Sequence, residues 1–189
     1  MKRGRIYDTL NKITRRLREE NIDYAVVGAM ALSTHGFRRF TEDVDILTTP
    51  EGLDAIHKKL VGRGYLPAFP GSRKKLRDTE TGVSIDFLTT GEYPGDGKPK
   101  AVRFPDPQQA SVECDGYKVI ALPKLIELKL ISGLTAAARL KDLADVQETI
   151  KTLDLPRDLA EQLDDSVRDE YYRLWDAVHD PHYDDPSEG

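Results

Sequence analysis

Arg39-Phe40-Thr41-Glu42-Asp43-Val44-Asp45-Ile46-Leu47 is the stretch on which the fold turns. Side chains alternate along a strand, so Asp43 and Asp45 share one face while Val44 and Ile46 share the other. Upstream, the apolar run Tyr24-Ala25-Val26-Val27 closes on Gly28 and predicts a buried strand, followed by a short helix over 29–34. Downstream, 83–88 reads VSIDFL and predicts a third strand, with Asp86 on the face opposite Ile85 and Phe87. That strand is expected to pair with Lys75–Asp78 across the Glu80-Thr81-Gly82 turn. If the strands bearing Asp43, Asp45 and Asp86 are neighbours, three carboxylates converge on one edge of a sheet.

Two carboxylates about 4 Å apart repel by roughly 4 kcal/mol at an effective dielectric of ~20. Such a cluster needs a bound cation, a shared proton or a basic partner. Hard oxygen ligands on a rigid strand suit Mg²⁺ or Mn²⁺, which leave other coordination positions to water and phosphate oxygens. A pair of such ions clamps the attacking and leaving oxygens of an in-line displacement at phosphorus. Small residues at Gly28-Ala29 let backbone N–H groups at the start of the second helix approach a phosphate. Arg38, Arg39 and Thr41 precede the carboxylates on a turn that reaches toward a triphosphate, since arginine's planar fork suits phosphate. The simpler alternative is that Arg38 and Arg39 neutralise the acids and that Asp43 and Asp45 cap strand-end amides.

The rest of the chain sets the frame. It has 189 residues, 39% hydrophobic and 32% charged, enough for a sizeable core and too apolar for a disordered chain. No apolar run approaches the ~20 residues of a membrane span, and the opening lacks a signal-peptide core, so a cytoplasmic protein is expected. The one cysteine, Cys114, excludes an internal disulfide framework and a thiolate zinc cluster, and the four histidines have no ligand spacing. The net charge of −5 is uneven. Residues 1–20 carry seven Lys/Arg against three acids, residues 154–189 carry three against twelve, and 57–77 contains seven cations and no acid. An acid-free run of that kind attracts polyanions, unless it is only a solvated face.

Ile6, Leu10, Ile13 and Leu17 recur at helical spacing, and Thr49-Pro50 offers an N-cap and first-turn proline for a helix through Leu53, Ile56 and Leu60. Residues 91–109, rich in Gly and Pro, predict a long loop. Ser111–Cys114 and Tyr117–Ile120 flank Asp115-Gly116, a hairpin signal. From Pro123 the pattern is helical, with segments at 123–133, 136–153 and 156–179, the last packing Tyr171, Tyr172 and Trp175. The expected fold class is α/β (α+β), a mixed sheet flanked by helices and followed by a helical part. The expected divisions are a core over 1–121, a helical part over 122–180 and an acidic disordered tail over 181–189.

A small-residue pair at a strand end, then Asp-x-Asp, then a third Asp on a later strand resembles the DNA polymerase-β-like nucleotidyltransferase superfamily. Arg39-Phe40-Thr41-Glu42-Asp43-Val44-Asp45 and Lys141-Asp142-Leu143-Ala144-Asp145 resemble the R-x-T-x-D-x-D and K-D-x-x-D segments of its AbiEii/MenT-type toxin group, over about residues 20–150. The resemblance implies a nucleotidyltransferase-fold enzyme that moves a nucleoside monophosphate from an NTP to an acceptor hydroxyl with Mg²⁺ or Mn²⁺. Asp43, Asp45 and Asp86 would be the catalytic, metal-holding residues. Gly28, Ala29, Arg39, Thr41, Lys129, Lys141 and Asp142 would bind the nucleotide. Read without the resemblance, Lys141, Asp142 and Asp145 are an ion-paired helix surface.

The acid-free run favours RNA, such as a tRNA end, as acceptor, with a protein hydroxyl as the other option. The resemblance also implies a toxin-like role with an antitoxin-like partner. The group usually has Gly-Gly or Gly-Ser where this chain has Gly28-Ala29, which lacks a serine hydroxyl. That difference motivates the alternative, a catalytically inactive module of the same fold that binds nucleotide or a protein partner.

Overall fold

A computed structural model describes residues 4–182, so most of the expected tail, 183–189, lies outside the described residues. The chain divides into two compact units. One comprises the residues up to Glu92 together with Arg103–Leu125, and the other comprises Tyr93–Val102 with the residues from Ile126 onward. Among the described residues no helix is long and apolar enough to cross a membrane.

The first unit is built on seven strands. They are β1 (Tyr24–Val27), β2 (Asp43–Thr48), β3 (Tyr65–Pro67), β4 (Lys75–Asp78), β5 (Ser84–Thr89), β6 (Ser111–Cys114) and β7 (Tyr117–Ile120), in the spatial order β3-β4-β5-β2-β1-β7-β6. The sheet is mixed: β2 runs parallel to β5 and β1 parallel to β7, while β1–β2, β4–β5, β3–β4 and β6–β7 are antiparallel. The expected fold class, a mixed sheet flanked by helices, is the one observed.

Alternation governs the central strands as the sequence predicts. Val44, Ile46, Ile85 and Phe87 are buried, and Asp43, Asp45, Ser84 and Asp86 on the other face are half-buried. Helix α1 (Arg5–Glu19) turns Leu10, Ile13 and Leu17 inward and packs on β2, and α3 (Pro50–Lys59) packs on β5. The start of α3 is fixed as expected, with the Gly52 N–H donating to the Thr49 hydroxyl at 2.9 Å and Pro50 in the first turn. The Asp115-Gly116 turn has positive φ at both residues, 51° and 82°, which joins β6 to β7 as a two-residue hairpin.

Two features depart from the sequence reading. Strand β3 was not expected, because three residues ending in Pro67 carry little signal, and it survives only as an edge strand beside β4. The continuous helix expected over 156–179 is broken. A 3₁₀ turn at Arg157–Gln162 precedes α7 (Asp165–Val178). Asp164 causes the break: its carboxylate accepts the Ser166 N–H at 2.9 Å, and its own N–H donates to Glu127 at 2.7 Å. These elements belong to the second unit, with α6 (Leu140–Leu153) and the later part of α5 (Leu122–Thr135). In that unit Trp175 donates to the Leu155 carbonyl at 2.8 Å and stacks on His179, the helix-packing role expected for it.

Candidate active site

The parallel β2–β5 pairing sets Asp43 beside Ser84 and Asp45 beside Asp86. Residues in register on neighbouring strands point to the same face, so all three aspartates converge. One carboxylate oxygen from each of Asp43, Asp45 and Asp86 lies within 4.8 Å of the others, all three residues being half-buried. Among the described residues this is the one group of three or more His, Cys, Asp or Glu placed to hold a metal ion.

Thr41 and Lys75 engage two of the carboxylates. The Thr41 hydroxyl donates to Asp43 Oδ1 at 2.9 Å. Lys75, paired with Asp86 across the β4–β5 ladder, places its ammonium 3.2 Å from Asp86 Oδ2. In the sequence Lys75 is one of seven cations in the acid-free run, and its place at the site is a finding of the structure. The signal was present, because the expected hairpin between Lys75–Asp78 and 83–88 faces Lys75 with Asp86 once its register is counted.

Gly28 closes the other side. Val27 is in register with Asp45 on β2, and Gly28 begins α2 (Gly28–Thr34) with φ +65°. A Cβ at this position would lie 2.1 Å from Asp45 Oδ2 and 2.9 Å from its Cγ. The glycine is required by the approach of the Asp45 carboxylate and by the left-handed backbone. Ala29 is buried. The helix itself has only seven residues.

Of the other expected residues, Arg39 and Thr41 are half-buried on the segment leading into β2, and Arg38 is exposed. Phe40 between them is 83% exposed, an aromatic ring in water beside the carboxylate strand. Lys129, Asp142 and Asp145 belong to the second unit and form one buried cluster. The Lys129 ammonium lies 3.0 Å from Asp142 Oδ1 and 2.8 Å from Asp145 Oδ2. Ser132 and Arg139 donate to Asp142 Oδ2 at 2.8 and 2.9 Å. Burial raises the Asp142 pKa, but Lys129, Ser132 and Arg139 outweigh it and hold the carboxyl below its ordinary range. Lys141 is exposed and makes none of these contacts. The lysine that meets the K-D-x-x-D carboxylates is Lys129 on α5, not the Lys141 that i, i+4 spacing suggests.

The acid-free run is also less bare than it looks. Arg73 pairs with Asp54 and Lys74 with Glu92, as Lys75 does with Asp86. Lys58, Arg63 and Arg77 are exposed and have no ion pair among the described residues.

The donor set fits a divalent cation. Three hard oxygens on two paired strands, with a glycine that lets the Asp45 carboxylate lie against the backbone, match what Mg²⁺ or Mn²⁺ takes.

A scan against protein-family models finds no match for the chain, and no curated protein matches it. Solved structures do. JHP933 from Helicobacter pylori is similar with a TM-score of 0.50 and 14% identity, over 92% of this chain and 90% of its own. The likeness is one of fold. A protein from Thermotoga maritima named as a candidate nucleotidyltransferase gives a TM-score of 0.47 and 23% identity, over 82% of this chain and 93% of its own. The antibiotic-resistance factor ANT(2'')-Ia gives 0.44 and 15%, over 88% and 80%.

Proposed function

We propose that this protein is a nucleotidyltransferase that uses Mg²⁺ or Mn²⁺ to move a nucleoside monophosphate from an NTP to an acceptor hydroxyl. The observation that carries the reading is the convergence of Asp43, Asp45 and Asp86 within 4.8 Å on paired strands, beside a glycine turn. The acceptor oxygen forms a bond to the α-phosphorus, the bond from that phosphorus to the bridging oxygen of the β-phosphate breaks, and pyrophosphate leaves. Asp43 and Asp45 would hold the cation, with Asp86 contributing a third carboxylate. The cation, when bound, supplies positive charge against the phosphate oxygens. Thr41 keeps Asp43 in its rotamer, and Asp86 takes the proton of the acceptor hydroxyl at its carboxylate. Gly28 and Ala29 would cradle the triphosphate with backbone N–H groups, and Arg39 would meet phosphate. The resemblance alone assigns Lys129, Lys141 and Asp142 to nucleotide binding; within the second unit Lys129 and Asp142 engage each other.

We further infer membership of the AbiEii/MenT-type group, with a toxin-like role and an antitoxin-like partner. The R-x-T-x-D-x-D and K-D-x-x-D segments support it. RNA is the favoured acceptor, a tRNA end in particular, supported by exposed Lys58, Arg63 and Arg77. The test is incubation with each α-labelled NTP, Mg²⁺, and total RNA or total protein. Label in RNA, lost in Asp43→Asn and reduced when Lys58, Arg63 and Arg77 are reversed to Glu, is expected. Label in protein moves the acceptor to a protein hydroxyl. No label with any NTP, with nucleotide still bound, favours the inactive module.

A further inference from the structure

Lys75 completes a row of charges that runs across the sheet. Lys75 on β4 is in register with Asp86 on β5, Asp86 with Asp45 on β2, and Asp45 with Val27 on β1, just before the Gly28 turn. Neighbouring strands lie about 4.8 Å apart, so the row places a cation at one end and the glycine turn at the other. Lys75 Nζ to Asp86 Oδ2 is 3.2 Å, and the side chains are 40% and 29% exposed. The adjacent lysine, Lys74, precedes β4 and meets Glu92, so Lys75 is the lysine that faces the carboxylates.

We propose that Lys75 is a positioning residue that stands in for a second cation: it engages Asp86, so the nucleotide-free site takes a single divalent ion on Asp43 and Asp45 and keeps Asp86 for the acceptor. This rests on the reading of Asp43, Asp45 and Asp86 as a cation site. An ordinary half-exposed ion pair would contribute little and leave ion binding untouched, so the two accounts separate.

The experiment counts Mn²⁺. Free Mn²⁺ is titrated by its paramagnetic resonance signal against nucleotide-free protein, with circular dichroism confirming that each variant is folded. Wild type is expected to bind one equivalent that is lost in Asp43→Asn and in Asp45→Asn. Lys75→Met and Lys75→Gln are expected to bind a second equivalent, or the first on the order of tenfold more tightly, because a like charge beside the ion is gone. Lys75→Arg, which keeps the charge, should behave as wild type. Two carboxylate-dependent equivalents in wild type, or unchanged binding in both neutral variants, would overturn the role of Lys75 and leave the cation site standing. Mn²⁺ binding that ignores Asp43→Asn and Asp45→Asn, or no binding, would overturn the cation site itself.

Discussion

Asp43→Asn is the sharpest perturbation of the candidate site, because asparagine keeps the shape and the Oδ1 acceptor for Thr41 while removing one charge. At 4.8 Å two carboxylates repel by about 3.5 kcal/mol at an effective dielectric of ~20, and by about 1 kcal/mol in bulk water. Asp43 faces two such neighbours, both half-buried, and Lys75 offsets part of the charge on Asp86. A net relief of about 1–2 kcal/mol is therefore expected in the metal-free protein. For a chain of this size that raises Tm by roughly 2–8 °C. With divalent ion the order reverses. Wild type gains about 2.7 kcal/mol at a hundredfold excess over Kd, and the variant, lacking a ligand, gains much less. The assay is thermal unfolding with EDTA and with increasing Mg²⁺, read by circular dichroism, alongside label transfer, which the variant should lose. An Asp43→Asn protein that melts several degrees lower than wild type in EDTA would refute the reasoning, since the carboxylate would then be a structural cap.

Three further outcomes are expected. Gly28→Ala should lower stability by at least ~1–2 kcal/mol in denaturant titration and abolish transfer, because its Cβ would sit 2.1 Å from Asp45 Oδ2 on a left-handed backbone; a fully active variant would remove Gly28 from the site. Lys129→Met should cost about 3–5 kcal/mol by leaving Asp142 and Asp145 buried without their ammonium, and adding Asp142→Asn should recover part of it; a loss under about 1 kcal/mol would show that the cluster does not hold the fold. Acid should unfold the protein through Asp78 and Asp142. Burial opposes ionisation at both, but Lys12 and the Glu80 and Thr81 N–H groups at Asp78, and Lys129, Ser132 and Arg139 at Asp142, leave both pKa values lowered. A depressed carboxyl stabilises the fold above its unfolded pKa of ~4, and that stability is lost as pH falls through the folded value. Urea titrations between pH 6 and 2 should therefore show stability declining below about pH 4, with a shallower decline in Asp78→Asn.

The alternation of Asp43, Val44, Asp45 and Ile46 and of Ile85, Asp86 and Phe87 made the carboxylate face legible, because burial of one face fixes the other. Asp115-Gly116 and Thr49-Pro50 were legible for another reason, each being a local conformational requirement. What stayed hidden depends on residues distant in sequence. Asp78 reads as a strand-end acid, yet it is fully buried, with Lys12 of α1 bonded at 2.8 Å. Glu127 holds the Asp164 N–H that breaks the last helix, and Glu92 and Asp54 pair with cations that look unopposed in 57–77. The strand order, with β1 between β2 and β7, is likewise set by packing of the whole sheet and leaves no local trace.

Three aspartates held this close would separate if the backbone were free to let them, so some larger energy must keep them in place. The same two strands supply it. Six consecutive residues of β2 are in register with six of β5, from Asp43 beside Ser84 to Thr48 beside Thr89. Behind the carboxylates, Val44, Ile46, Ile85 and Phe87 are 0–1% exposed. Full burial of such side chains contributes ~1.5–3 kcal/mol each, so these four outweigh the few kcal/mol of repulsion in front of them. A slip of either strand by one residue would relieve the carboxylates only by turning that strand's pair, Val44 and Ile46 or Ile85 and Phe87, away from the core. The sheet therefore stores the repulsion as a standing affinity for positive charge, and Lys75 meets one part of it from within the chain. The remainder is what a divalent ion carrying a triphosphate is proposed to meet.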